Sequence, residues 1–248
     1  MTSKLIWVTG GSSGIGYACV QRFLSKGHKV VNIDRVHNKE AYLNEVQELL
    51  DLSHLESIEA WAQEASRQYG VPDVLVNCAG TSRMDYLVNA QLEDWKFTFD
   101  INVYAVFELS KAFANLVIEA DKAGRIINIA SQAGKNGYRA MSSYVASKHA
   151  LIGLTKTAAI ELAAHNILVN AVCPGIVETA MKQRERIEGG LLRGMTAEEV
   201  YQEDRSQVPL GRTAEANEVA GLVEFLTTEE SSYMTGQAIN ITGGMTMH

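Results

Sequence analysis

The 248 residues carry 22 Lys+Arg against 29 Asp+Glu, a formal charge of −7, and 46% of positions are apolar. A chain this long and this apolar buries one large core or at most two small ones, and it is too apolar and too weakly charged to be disordered. The acidic total excludes an electrostatic footprint for nucleic acid, because Lys111, Lys122 and Arg125 are spread too thinly to form one.

Met1-Thr2-Ser3 runs straight into Leu5-Ile6-Trp7-Val8, which leaves no room for the apolar region of a signal peptide. No window of about 18 apolar residues is free of charge; the longest candidate, 150–164, contains Lys156 and Glu161. No membrane partner is expected, and the location expected is the cytoplasm. Cys19, Cys78 and Cys173 are odd in number and share no metal or redox spacing, which fits a reducing compartment without disulfides or a metal site. Asn240-Ile241-Thr242 matches a glycosylation acceptor and reads as a chance match in such a chain.

In chain order, short β-rich runs at 5–9, 29–34, 46–50, 73–77, 125–130, 168–172 and 237–241 alternate with amphipathic segments at 15–26, 53–69, 92–120, 143–165 and 215–227. Ser53 followed by Glu56 suggests a capping box, and Gly27 and Gly70 stand where helices end. Strands whose chain neighbours are helices need crossover connections, so the pattern predicts an α/β domain: a doubly wound, Rossmann-type parallel sheet of about seven strands with helices on both faces. No linker or repeat divides it, so residues 1–248 are expected to form one domain. One stretch, 178–212, breaks the rhythm with mixed charge, Gly189-Gly190, Gly194 and a short helical pattern at 197–202. Insertions of that kind commonly cover binding sites, and a substrate lid is expected there.

The first strand ends in Thr9-Gly10-Gly11-Ser12-Ser13-Gly14-Ile15-Gly16 and a helix follows at once. A dinucleotide pyrophosphate requires a tight turn, close backbone approach and free N–H groups at a helix N-terminus, and glycines 10, 14 and 16 supply all three. The run is not G-x-G-x-x-G, and no Lys follows Gly16 as a nucleotide P-loop requires. Asp34 closes the second strand, where a carboxylate accepts both hydroxyls of an adenosine ribose and repels a 2′-phosphate, so NAD is favoured over NADP. Arg35 and Lys39 keep NADP open. Further along, Tyr144-Val145-Ala146-Ser147-Lys148 places a phenol and an ammonium at i and i+4, on one helix face. A phenol becomes a competent acid or base near neutrality when a neighbouring cation stabilises phenolate.

With these motifs in place the chain resembles the short-chain dehydrogenase/reductase family over essentially its whole length. The matching pieces, in order, are Thr9-Gly10-x-x-x-Gly14-x-Gly16, Asn77-Cys78-Ala79-Gly80, Asn102, Ser131, Tyr144-x-x-x-Lys148 and Pro174-Gly175-Ile176-Val177-Glu178-Thr179. The resemblance implies catalytic roles for four residues. Tyr144 exchanges a proton with the substrate oxygen, Ser131 holds that oxygen, Lys148 lowers the Tyr144 pKa and holds the nicotinamide ribose, and Asn102 helps anchor a water in a proton relay. It implies that Gly10, Ser12, Ser13, Gly14, Ile15 and Gly16 cradle the cofactor. Asp34 and Arg35 would stand at its ribose, Asp51 and Leu52 at the adenine. Asn77, Ala79 and Gly80 would line it, and Pro174, Val177 and Thr179 would face the nicotinamide.

Three departures stand out. Cys78 replaces a more usual second Asn and reads as a small buried side chain. Asp34 and Asp51 are close together for the family, which predicts an abbreviated helix around 37–44 and weakens the adenine role of Asp51. Thr242-Gly243-Gly244 stands where Asp-Gly-Gly is frequent.

Substrate choice falls to 132–143 and the lid, where Gln132, Asn136 and Glu178, with Ser131 and Tyr144, are the candidate contacts. Their polarity, and likeness in several segments to bacterial acetoin/butanediol and polyol dehydrogenases, imply an NAD-dependent oxidation of a small polyol, sugar or diol. Reduction of 3-oxoacyl thioesters, a dihydrodiol substrate, and a non-catalytic dinucleotide sensor are the alternatives; the sensor would be expected to lack Ser131, Tyr144 or Lys148. Lys182, Arg184, Arg186 and Arg193, interleaved with Glu185 and Glu188, read as a solvated helix face. His149 reads as a surface residue, and Trp7, Trp61 and Trp95 as core. A homotetramer is the family default; Val106, Leu109 and Phe113 would serve such a contact or else face the sheet.

Overall fold

The computed structural model describes residues 3–38 and 42–248. Strand β1 (Leu5–Thr9) leads into α1 (Gly14–Ser25) and returns through β2 (Lys29–Asp34) to β3 (Glu45–Leu49). Helix α2 (Ile58–Tyr69), β4 (Val74–Asn77), α3 (Leu92–Phe99), α4 (Ala105–Glu119), β5 (Gly124–Ile129), α5 (Ser142–Leu162) and β6 (Ile167–Pro174) follow. The chain then makes an excursion: β7 (Val177–Glu178), α6 (Ala180–Arg193), α7 (Ala197–Gln207) and β8 (Ala214–Glu215). It ends with α8 (Ala216–Phe225) and β9 (Ala238–Ile241). Seven strands form one sheet in the order β3-β2-β1-β4-β5-β6-β9, every pair parallel. The order reverses between β1 and β4, and at that reversal the carboxyl ends of neighbouring strands diverge and open a crevice.

Alternation along each strand feeds two cores. Leu5, Trp7, Val31, Ile33, Leu75 and Ile126 face α2, α4 and α5, where they meet Ile58, Ala62, Leu109, Phe113 and Ala159. Ile6, Val8, Val30, Val74, Val76 and Ile127 face the other way, onto Val20 and Phe23 of α1 and Val219 and Val223 of α8. Trp7 and Trp61 meet across the first core with ring centroids 4.9 Å apart. Trp95 is only half-buried and stacks on Phe99 instead. Val106, Leu109 and Phe113 are buried against the sheet, so none of them is available to a second subunit.

Several expectations shift by local chemistry. The third strand begins one residue earlier than its apolar pattern indicates, at Glu45, because that carboxylate is held by the Asn32 and Asn38 side-chain amides at 3.0 and 2.7 Å. Ser53 forms no capping box: its N–H donates to Asp51 Oδ1 at 2.9 Å, and a 3₁₀ turn, Leu55–Ser57, precedes α2. Between β2 and β3 no helix occurs among the described residues of 37–44; Lys39, one of the residues keeping NADP open, lies outside them. The predicted helix at 92–120 is three pieces, α3, a π turn at Asp100–Tyr104, and α4. The run Leu92–Glu119 is 28 residues, long and apolar enough to cross a bilayer, but Leu109, Ala112, Phe113 and Val117 are buried in the protein's own core.

The excursion contains two full helices where sequence shows only one short pattern. Thr179 caps α6 by accepting from Lys182 N at 3.2 Å, and Thr196 with Glu199 forms a reciprocal capping box on α7. Gly190 lies inside α6 because a Cβ there would come within 2.6 Å of the Met195 carbonyl oxygen, where the chain turns back. The basic residues of α6 are not a solvated face. Arg186, 6% exposed, forms a bidentate pair with Glu178 at 2.6 and 2.8 Å and a third bond to Asp204 at 2.8 Å. Lys182 pairs with Asp204 at 3.2 Å and Arg193 with Glu203 at 2.6 Å.

Candidate active site

The crevice at the strand-order reversal is a cleft of about 620 Å³. Its floor is built where β1 turns into α1. Gly10 has φ +67, and a Cβ there would stand 2.9 Å from Ala79 Cα; a Cβ on Gly16 would stand 2.2 Å from the Gly10 carbonyl oxygen. Thr9 Oγ1 accepts the N–H groups of both Cys78 and Ala79 at 3.0 Å, tying the ends of β1 and β4 together. Gly10, Ser13, Gly14, Ile15 and Gly16 therefore present bare backbone and a helix N-terminus to the cleft, an arrangement that accommodates a pyrophosphate.

At the β2 end, Asp34 accepts from Ser12 N at 3.0 Å through one carboxylate oxygen and from Arg35 N at 2.7 Å and Val36 N at 3.3 Å through the other. These main-chain donors fix its orientation while it lines the cleft with Arg35, Asp51 and Leu52. The Asp51 carboxyl is held below the usual carboxylate range by the Ser53 backbone N–H. Ala79, Gly80, Pro174, Val177 and Thr179 line the same cleft further across the sheet.

Ser131, Gln132, Tyr144 and Lys148 come together beyond the end of β5. Ser131 caps a 3₁₀ turn, its Oγ accepting from Ala133 N at 3.0 Å. Lys148 is 5% exposed, and its Nζ donates to the Ile129 carbonyl at 2.8 Å and lies 5.6 Å from the Tyr144 ring centroid. Burial pushes its ammonium down to about 8. Burial also pushes the Tyr144 phenol up, the Glu185 carboxylate pushes it further, and a hydrogen bond with Ser131 opposes them. The phenol thus moves opposite to the lowering by Lys148 expected from the sequence, and the dryness of the site is the chief cause. The Cys78 thiol is pushed up to about 12 by burial and stays protonated, consistent with a packing role.

Asn102 stands in the π turn with its side chain fully engaged: Oδ1 accepts from Thr81 N at 2.9 Å, and Nδ2 donates to Thr81 O at 2.9 Å and to Ser147 Oγ at 3.0 Å. Ser147 in turn donates to the Tyr144 carbonyl at 2.7 Å. A Cβ on Gly80 would lie 3.4 Å from Asn102 Oδ1 and 3.7 Å from Lys148 Nζ, so these groups converge on one spot.

Besides Asn102, four expected residues are not among those lining the cleft. Glu178 is bound to Arg186 and to Thr213 Oγ1, at 2.7 Å, on a separate surface recess outside the main cleft. It is a strut of the excursion and is not among the residues lining the main cleft. Asn136 donates to the Gln132 carbonyl and to Thr246 Oγ1, bracing the chain terminus behind the cleft wall. Asn77, 1% exposed, bridges Ser110 and Asn128 beneath the cleft floor. Ser12 turns its hydroxyl to the Val36 carbonyl, and its N–H holds Asp34. Conversely Arg83, Tyr138, Met181, Glu185 and Met245 line the cleft although no motif marks them; Glu185 was visible only as one of the acids interrupting the basic run of α6.

A family model described as enoyl-(acyl carrier protein) reductase matches residues 10–246. The chain is 35% identical to a 3-oxoacyl-(acyl-carrier-protein) reductase of Thermotoga maritima over 99% of its length and 98% of the relative. It is 34% identical to an L-2,3-butanediol dehydrogenase of Corynebacterium glutamicum, with 98% of each chain covered. Among solved structures, actinorhodin polyketide ketoreductase with NADPH superposes with a TM-score of 0.92 at 33% identity, covering 98% of this chain and 97% of that one. 4-Hydroxyisoleucine dehydrogenase with NADH gives 0.85 at 30% identity, covering 98% and 99%. The chain belongs to the short-chain dehydrogenase/reductase family. It is an oxidoreductase of alcohols and ketones that uses a nicotinamide cofactor.

The buried lysine has a measurable consequence. A folded-state pKa near 8 against 10.5 for the free side chain means that the folded protein binds fewer protons in that window, so the contribution of Lys148 to stability is fully present above about pH 10.5 and is lost as pH falls through about 8. Urea unfolding of wild type and Lys148→Met without cofactor is expected to show wild type gaining on the variant between pH 7 and 10; a pH-independent difference would contradict it.

Proposed function

We propose that the enzyme interconverts a secondary alcohol and its ketone on a small hydroxylated substrate, a polyol, sugar or diol, with NAD as its cofactor. The observation that carries the cofactor choice is the Asp34 carboxylate, fixed by main-chain N–H groups at the end of β2. In that position it accepts two ribose hydroxyls and repels a 2′-phosphate. The residues fit the group: Gly10, Ser13, Gly14, Ile15 and Gly16 would hold the pyrophosphate, where any Cβ on Gly10 or Gly16 would collide with backbone. Asp51 and Leu52 would border the adenine, and Pro174, Val177 and Thr179 the nicotinamide. Bound there, NAD supplies or accepts the hydride.

The chain's own residues handle the oxygen and the proton. Ser131 holds the substrate oxygen and Tyr144 exchanges a proton with it. A phenol raised by burial keeps its proton, so the donor form that the reducing direction needs is populated; in oxidation it must first release that proton, which the Lys148 charge favours. Asn102 acts by positioning, fixing Ser147 and through it the Tyr144 carbonyl. The excursion from β7 to β8 serves as the substrate lid, contributing Met181, Lys182 and Glu185 to the cleft wall. Gln132, 5% exposed, adds a polar amide from the opposite wall.

A second reading, reduction of a 3-oxoacyl thioester, draws support from the likeness to the Thermotoga reductase and the polyketide ketoreductase. Measuring NADH formation from a panel of diols and polyols beside NAD(P)H consumption with an acetoacetyl thioester separates the two. Diol turnover is expected, falling at least about 100-fold in Tyr144→Phe with NADH binding retained; turnover of the thioester alone overturns the proposal. Tryptophan quenching is expected to show NADH binding tighter than NADPH, and the reverse order would refute the Asp34 argument.

A cytoplasmic homotetramer completes the proposal. Tyr104 of the π turn and Phe107 of α4, at 49% and 45% exposure, with Ile160 of α5 at 80%, supply apolar outer surface. Light scattering is expected to give the mass of four chains; a monomer would overturn this part.

A further inference from the structure

We infer that Glu185 selects the substrate by accepting a hydrogen bond from a second hydroxyl, beside the carbinol that reacts; the assignment rests on the hydroxylated-substrate reading above. Glu185 of α6 lines the same cleft as Ser131 and Tyr144. One carboxylate oxygen is fixed: Ser82 donates to Glu185 Oε1 at 2.6 Å. Ser82 is itself fully buried, and its hydroxyl and carbonyl oxygens receive Arg184 Nη2 at 2.9 and 3.0 Å, so the hydroxyl is locked with its proton toward Glu185. Among the described residues nothing donates to Oε2.

The surrounding charges are already matched. Lys182 pairs with Asp204, Arg184 with Glu188 at 3.5 Å, and Arg186 with Glu178 and Asp204. Of the two carboxylates that the lid presents to the cleft, Asp204 is paired and Glu185 is not. A partly buried carboxylate with an open oxygen favours an occupant that donates to it. Burial raises the Glu185 carboxyl, while the Ser82 hydrogen bond and the charges of Lys182 and Arg184 favour its charged form, and an ammonium would meet those same two cations. An anionic group would meet the carboxylate itself, and an acyl chain would leave it desolvated and unpaired. A neutral hydroxyl satisfies it without any of these costs. Glu185 and Tyr144 line the same cleft, so the hydroxyl that Glu185 accepts and the carbinol that reacts belong to one bound substrate.

The test compares kcat/KM for 2,3-butanediol and for 2-butanol, which lacks the second hydroxyl, in wild type, Glu185→Gln and Glu185→Leu. NADH quenching reports whether each variant is folded, and the isosteric Gln variant stands in if the Leu variant is not. Wild type is expected to prefer the diol by roughly 10–100-fold, the range of one hydrogen bond to a charged group. The ratio is expected to fall toward one in Glu185→Leu, with Glu185→Gln between them. In Glu185→Gln the ascending, low-pH limb of the pH profile for oxidation moves to lower pH, because Tyr144 loses a negative neighbour and releases its proton more readily. If diols are oxidised and the ratio survives in both variants, the Glu185 assignment alone is overturned. If wild type oxidises no diol and reduces the acetoacetyl thioester, the hydroxylated-substrate reading fails and the assignment falls with it.

Discussion

The cleft exists because backbone meets backbone where β1 becomes α1. Gly16 packs onto the Gly10 carbonyl and Gly10 onto Ala79, at separations that leave no room for a single methyl. That contact sets α1 at the end of β1 with its N-terminal amides facing the crevice, and Thr9 extends it sideways by holding the first residues after β4. Every other part of the site is referred to this joint. Asp34 is oriented by the Ser12 N–H of the same turn, and the walls at β5 and β6 are placed by register with β4. The sheet could tolerate many sequences; the joint tolerates only residues without a side chain.

On this frame the site is dry as much as it is charged. Lys148 and Tyr144 share one helix and one face, yet burial moves each away from its charged form, the ammonium down and the phenol up. The pair is poised by desolvation, with the Ile129 carbonyl holding the ammonium and Ser131 the phenol. Asn102 joins this arrangement through the π turn, which widens the helix locally and brings a buried amide to Thr81 and Ser147 at once.

Much of this was legible in the residues, for identifiable reasons. Strands β1 and β2 fall where their short apolar, β-rich runs place them, because a parallel strand buried on both faces reads as such a run. The glycine turn, Asp34 and the Tyr144–Lys148 pair are local patterns with local chemistry. What escaped depends on partners distant in sequence. Helix α6 is polar overall and carries two glycines near its end, so no apolar run announces it; Arg186 ties it to Glu178 and Asp204. The same pairing withdrew Glu178 from the cleft, and Thr246, near the chain end, withdrew Asn136. Polarity marked those side chains as candidates, and only the fold revealed that their polar atoms were already taken.

The three-way pairing at Arg186 reaches past the site it flanks. By joining β7, α6 and α7 through one buried guanidinium, it makes the excursion a preassembled unit. A loop that becomes ordered only when it meets its ligand loses conformational freedom at every turnover, and affinity is lowered by that amount each time. Here the ordering of more than two dozen residues is completed once, when the chain folds.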